Sequence, residues 1–171
     1  LQAVDVGSNA LIGSPFDLGA GALPIGVTLN LFADRVWVAN FDGNNIAVID
    51  SSDPSNLTAV TSLSIASPTG VTFRPGSSRV YVTSSGTDSV TVYDSETMAV
   101  ITTLSGLNDP SSISFNDAGT RAVVTNYGNS TITVLDTTDA DAPVVIYTLT
   151  TAGRPLSAVI SEQDSFDVWV G

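Results

Sequence analysis

Lysine, histidine and cysteine are all missing from the 171 residues, and five arginines stand against 17 acidic residues, for a net charge of −12. Each absence removes chemistry. Without histidine or cysteine there is no Ser-His-Asp triad, no cysteine nucleophile and no imidazole or thiolate zinc site; without lysine there is no Schiff base and no P-loop. Repulsion between an acidic chain and a phosphate backbone makes nucleic acid an unexpected partner. No apolar run reaches 18 residues, so no membrane span is expected, and no basic segment leads into an apolar stretch as in a signal peptide. The chain opens on Leu1, as a processed mature protein or an excised piece would. Charged residues make up only 13%. With Ser and Thr filling many polar positions, that balance suits an extracellular setting.

What is present is a repeat. Pro24 to Asp50 reads PIGVTLNLFADRVWVANFDGNNIAVID, Pro68 to Asp94 reads PTGVTFRPGSSRVYVTSSGTDSVTVYD, and Pro110 to Asp136 reads PSSISFNDAGTRAVVTNYGNSTITVLD. The prolines Pro24, Pro68, Pro110 and Pro155 are spaced by 44, 42 and 45 residues, and the fourth copy stops half way. Alternation of apolar and polar residues predicts strands, with Gly, Asn and Asp marking the turns between them. A further apolar stretch follows each Asp, giving four short strands per copy, a to d. Four antiparallel strands per 40 to 50 residues make one β-propeller blade. The predicted fold is therefore all-β: a single propeller domain over 1–171, with blades at 21–66, 67–106 and 107–152. Strands c and d of a closing blade fall in 1–20, and strands a and b in 153–171.

The stretches RVWVANFDGNNIAVID, RVYVTSSGTDSVTVYD and RAVVTNYGNSTITVLD resemble the YVTN family of β-propeller repeats, known from archaeal and bacterial surface-layer proteins. The resemblance covers nearly the whole chain. It implies a non-enzymatic extracellular or cell-surface module that serves as a binding or assembly scaffold. Some relatives of the family are lactonase-like propellers, which implies as an alternative a metal-dependent hydrolase working through carboxylates. This chain departs from them in lacking histidine and in having about four repeats.

Gln2-Ala3-Val4-Asp5 matches Ala47-Val48-Ile49-Asp50 of a strand c, and Ile12 to Leu18 can serve as a strand d. Aligning Trp169 with Trp37 makes the last residues strands a and b. The two ends thus sum to one blade, which would cover sheet edges and apolar faces that otherwise invite association. Closure within one chain as a four-bladed ring is the preferred expectation. Two chains alternating in an eight-bladed ring, a head-to-tail filament, or a fragment of a longer propeller are the other arrangements. Gly26, Gly70, Ser112 and Ser157 fall at one position of strand a, where a narrow axis requires small residues.

Several residues are candidates for a site. Phe41 and Tyr127, in the b-to-c turns, could contact a protein or glycan at the loop face. Arg35, Arg79 and Arg121 recur at the first position of strand b and could form a ring for an anion; pairing with acids or carbonyls of their own or the next blade is the simpler reading. Asp136, Asp139 and Asp141 cluster as calcium ligands would, although Asp after a strand also caps its turn. Asp34, Asp117, Asp164 and Asp167 lie near the a-to-b turns, as solvated acids or as an acid-base pair. Trp37, Tyr81 and Trp169 share a place in strand b, where packing between blades is favoured over sugar stacking. Asn56 and Asn129 open glycosylation sequons.

Overall fold

The structure, a computed structural model, describes residues 1–30, 34–161 and 167–171. Among them every regular element is a strand. Three four-stranded antiparallel sheets follow one another: blade 1 with β3 (Pro24–Leu29), β4 (Arg35–Asn40), β5 (Asn45–Asp50) and β6 (Thr58–Ser64); blade 2 with β7 (Pro68–Phe73), β8 (Arg79–Ser84), β9 (Ser89–Asp94) and β10 (Val100–Ser105); blade 3 with β11 (Pro110–Phe115), β12 (Arg121–Asn126), β13 (Thr131–Asp136) and β14 (Val144–Thr150). A two-stranded hairpin precedes them, β1 (Ala3–Asp5) with β2 (Ala10–Ile12), and another follows, β15 (Ala158–Ser161) with β16 (Asp167–Val170). This is a β-propeller architecture, with the a strands β3, β7, β11 and β15 packed in succession along the inner edge.

Register repeats from blade to blade. Arg35 faces Asp50, Arg79 faces Asp94 and Arg121 faces Asp136 across strands b and c. The tight b-to-c turns need a left-handed residue, supplied by Asn44, Asp88 and Ser130 at φ 52°, 48° and 57°. The carbonyls of those residues accept the amides of Ile65, Leu107 and Thr151, tying each turn to the chain entering the next blade.

Alternation puts one apolar set on each face, and each face is buried only by a neighbouring blade. Trp37, Ala39, Ile46 and Val48 of blade 1 meet Val71, Val80, Val82 and Tyr93 of blade 2. Tyr81, Val90 and Val92 of blade 2 meet Ile113, Ala122, Val124 and Leu135 of blade 3. Trp37 stacks edge-on to Phe73, and Tyr81 edge-on to Phe115. Hydroxyls also link successive inner strands: Thr69 and Thr72 donate to the carbonyls of Pro110 and Ile113, and Ser111 and Ser114 to those of Pro155 and Ala158.

The two end hairpins are half-blades with the expected strand identities. Ala158 to Ile160 pair with Val170 to Val168 as Val27 to Leu29 pair with Val38 to Val36, which aligns Trp169 with Trp37. Asp5 caps its turn by accepting the amides of Gly7 and Ser8, as Asp50 accepts that of Ser52. Strand d is shorter than expected: β2 ends at Ile12 and the chain bends at Gly13, although Leu1 and Phe16 still exchange two backbone bonds. Phe166 and Asp164 of the expected final strand region lie outside the described residues.

The closing blade is a correction to the sequence expectation. β1–β2 and β15–β16 remain separate two-stranded sheets, so among the described residues no ladder joins the two half-blades into one. Each half-blade is ordered by the full blade beside it. Leu1, Phe16 and Leu18 pack on Val36, Val38 and Ile49 of blade 1, whereas Ala158, Ile160 and Val168 pack on Val123 and Ile132 of blade 3. Seated at opposite ends of three intervening blades, the hairpins share no ladder. Trp169 is accordingly 68% exposed, whereas the equivalent Trp37 is fully buried.

Candidate functional site

The propeller has two rims. One carries the b-to-c turns and the d-to-a connections; the other carries the a-to-b and c-to-d turns. The sequence candidates divide between them. Phe41 and Tyr127 lie half-buried on the first rim, with the Arg154 guanidinium 5.0 Å from the centre of the Tyr127 ring. Arg35, Arg79 and Arg121, with Asp136, Asp139 and Asp141, lie on the second.

On that second rim each c-to-d turn leans on the preceding blade. The turn after β13 is held by three side chains of blade 2. Arg79 forks onto the Asp141 carboxylate and also donates to Asp94 at 2.5 Å. The Tyr81 hydroxyl donates to the Ala140 carbonyl at 2.7 Å, and Arg74 Nε donates to the Thr137 carbonyl at 2.9 Å. Burial pushes the Tyr81 phenol up to about 12, so it remains a donor.

The aspartates are committed in the same way. Asp136 accepts the Thr138 amide and pairs with Arg121 at 2.9 Å; Asp139 accepts the Asp141 amide. Bonds to the charged form hold the carboxyls of Asp136, Asp94 and Asp141 below the usual range, chiefly from the Thr138 amide, the Thr97 amide and the Arg79 guanidinium respectively. Among the described residues no group of three or more His, Cys, Asp or Glu side chains is placed to hold a metal ion. The turn does not bring Asp136, Asp139 and Asp141 together as one ligand set.

Arg35 is different. It makes no ion pair among the described residues, and its Nη1 donates instead to the Ser95 carbonyl at 3.3 Å. It lines a cavity of about 510 Å³ between blades 1 and 2, with Asn30, Asp34, Phe73, Ser78 and Ser95. Sequence reasoning missed this cleft. Its signal lies in the spacing: the c-to-d connection is 51–57 in blade 1 and 137–143 in blade 3 but only 95–99 in blade 2, and the shortest proline interval, 42 residues, spans that copy.

Two more grooves lie at the ends of the arc. A groove of about 260 Å³ beside the first hairpin is lined by Leu1, Leu18, Ile25, Val27 and Val38. One of about 460 Å³ beside β16 is lined by Ile132, Val134, Tyr147, Leu149, Val168 and Trp169, with Asp167 at its margin.

No family model matches the chain, and no curated protein matches it. Solved structures do. Hydrazine synthase of Kuenenia stuttgartiensis matches at TM-score 0.72 and 21% identity, over 88% of this chain and 42% of that one. A candidate 6-phosphogluconolactonase of Bacteroides uniformis matches at TM-score 0.75 and 13% identity, over 94% and 54%. Another from Bacteroides fragilis matches at 0.74 and 12%, over 91% and 49%. The chain thus spans about half the length of the solved structures it matches, and the likeness is one of fold.

Proposed function

We propose that this chain is a non-enzymatic, extracellular or cell-surface β-propeller module that acts as a binding and assembly scaffold, joining a second copy through its half-blades. The carrying observation is the complementarity of the two ends. The groove beside β16 lacks a c-d hairpin, and the groove beside β1–β2 lacks an a-b hairpin. The chain carries one of each. Adding β1 of a second copy to the free edge of β16 makes a four-stranded blade, and a second such joint closes a ring of eight blades with two-fold symmetry. Since one copy spans about half of larger propellers, two copies supply one ring.

The inner edge supports the same reading. At the joints after blades 2 and 3, Thr69, Thr72, Ser111 and Ser114 bond the next inner strand, whereas the equivalent residues of the last copy are Leu156 and Val159, both exposed. They would meet the exposed Ile25, Val27 and Leu29 of β3, an apolar joint suited to separate chains. The surface-layer resemblance and the acidic, lysine-free composition support the extracellular setting. The hydrolase alternative has less behind it, because Asp136 and Asp141, the acids offered for a metal, are bonded to a turn amide and to arginines.

Light scattering across a wide concentration range tests this. The expected result is a rise from 17.6 kDa to about twice that and no further, favoured by salt because each copy carries −12. A constant monomer mass with Trp169 accessible to quencher would refute assembly, and an open-ended series would replace the ring by a filament.

A further inference from the structure

Pairing β16 of one copy with β1 of a second, in the register of the complete blades, fixes the cross-strand neighbours of the joined blade. Trp169 aligns with Trp37 and Asp5 with Asp50, and Trp37 faces Val48, so Trp169 faces Ala3 and Asp167 faces Asp5. In all three complete blades that last place is held by an arginine and an aspartate: Arg35 with Asp50, Arg79 with Asp94 and Arg121 with Asp136. Only the joined blade sets two carboxylates against each other. The aspartate is held alike in each. Asp94 accepts the amides of Glu96 and Thr97 on Oδ1 and the Arg79 guanidinium on Oδ2, and Asp5 accepts the amides of Gly7 and Ser8 on Oδ1. Asp167 is exposed, and all five arginines fall between positions 35 and 154, so neither half-blade strand brings a basic side chain to the joint.

We propose that the joint between copies is controlled by acid: the Asp5–Asp167 pair opposes assembly while both carboxylates are charged, and a proton taken up by the pair releases it. This rests on the assembly reading and adds its control. Like charges directly opposite on paired strands destabilise the pairing, their Cβ atoms lying about 4.5–5.5 Å apart. Two carboxylates sharing a site hold a proton to higher pH than either does alone. The joined form therefore binds more protons than the separate copies, and association strengthens as pH falls. No neighbour supplies the missing cation. In the blade that follows, blade 1 of the second copy, Ser55 stands where Asp141 meets Arg79, and the charged groups of that rim are Asp34, Asp53 and Arg35, which faces Asp50. In the blade before, Arg121 is bound to Asp136. Glu162 and Asp164, in the β15–β16 connection, lie outside the described residues. The chain-end ammonium of Leu1 donates to the Phe16 carbonyl, about 13 Å along the strand from Asp5. A ring of two copies has two such joints, so each effect counts twice.

The test is the dimer dissociation constant of the whole chain, measured by sedimentation at low ionic strength between about pH 6.5 and 4.5. The native chain should dimerise at least about tenfold more tightly at the acid end. Asp167→Arg restores the pair of the other blades. It should dimerise at least about tenfold more tightly than the native chain at about pH 6.5 and respond little to acid. Asp167→Asn should also lose most of the pH dependence. Asp42→Asn makes the same change of net charge at an exposed b-to-c turn on the opposite rim, and should keep it. Asp167 is itself exposed, so neither substitution there disturbs the core. A dimer indifferent to pH, or a native pH dependence retained by Asp167→Asn, would overturn the proposal and leave assembly standing. A monomer under every condition, Asp167→Arg included, would refute assembly and its control together.

Discussion

Val27 and Val71 occupy the same place in successive inner strands, pairing with Val38 and Val82, yet Val71 is 5% exposed and Val27 60%. Ile113, the third member of the set, is also 5% exposed. Truncating each valine to alanine therefore weighs one blade-to-blade joint against an open face. Removing two carbons from a buried site loses about 1.6 kcal/mol of transfer free energy, and the residual cavity raises the cost of Val71→Ala to about 2–3 kcal/mol. Val27 has only 40% of its surface to lose, so Val27→Ala in the isolated chain should cost about 0.6 kcal/mol, with no cavity term. The difference, about 2 kcal/mol, corresponds to roughly 4–8 °C in Tm for a chain of this size.

The assay is urea unfolding followed by the fluorescence of buried Trp37, at low and high protein concentration. At low concentration only Val71→Ala should be strongly destabilised. At high concentration a second copy covers β3, so the cost of Val27→Ala should climb toward that of Val71→Ala, while the Val71→Ala value stays the same. A Val27→Ala cost of 2 kcal/mol at the lowest concentration would refute the reasoning, since the face would then be covered within one chain. A cost that never rises would refute the second copy as its cover.

At Gly70 an added Cβ would fall 2.8 Å from Thr83 Oγ1, a buried hydroxyl already bonded to Thr69, so Gly70→Ala should cost about 1–3 kcal/mol in the same unfolding assay. Gly70→Ser should recover part of that, because Ser112 at the equivalent place bonds Thr125 Oγ1 at 2.8 Å; equal costs for the two would count against this account. With no histidine, Tm should be flat between about pH 5 and 7. Asp94, Asp136 and Asp141 have folded-state values held below the ordinary 3.8, so their contribution is full above that value and is lost as pH falls through the lowered ones. Tm should thus drop from about pH 4 downward, and a decline beginning near pH 6 would show that other groups dominate.

The blades were legible because a period-two pattern repeated at near-constant spacing constrains strand, turn and register together. Even the half-blades could be aligned, through Trp169 with Trp37 and Asp5 with Asp50, and the ladder and turn caps follow those alignments. Closure was not legible. Composition of a blade says which faces are apolar, but how far each blade turns from the last is set by the packing of pairs such as Trp37 with Phe73 and Tyr81 with Phe115. The arginines illustrate the same limit at the candidate site. Arg35, Arg79 and Arg121 are identical in the repeat and each faces an aspartate across strands b and c, yet among the described residues only Arg79 also reaches an aspartate of the following blade, Asp141, whose c-to-d turn is two residues longer than the one that follows Arg35.

That contrast bears on where function resides in such a chain. A repeat protein is stabilised by nearest-neighbour joints, so groups that recur in every copy are apt to satisfy one another. Arg79 with Asp94 and Arg121 with Asp136 are such pairs, and Asn40 and Asn126, at equivalent ends of strand b, both donate through Nδ2 across to strand c, to Asn45 and to Thr131 and Thr133. Recognition needs groups left over, and those arise where copies differ. The loss of hydroxyls from the last copy leaves Leu156 and Val159 exposed at the end of the arc. One kind of joint is thereby used in two ways: packed by its own chain between successive blades, and left for a second copy at the ends.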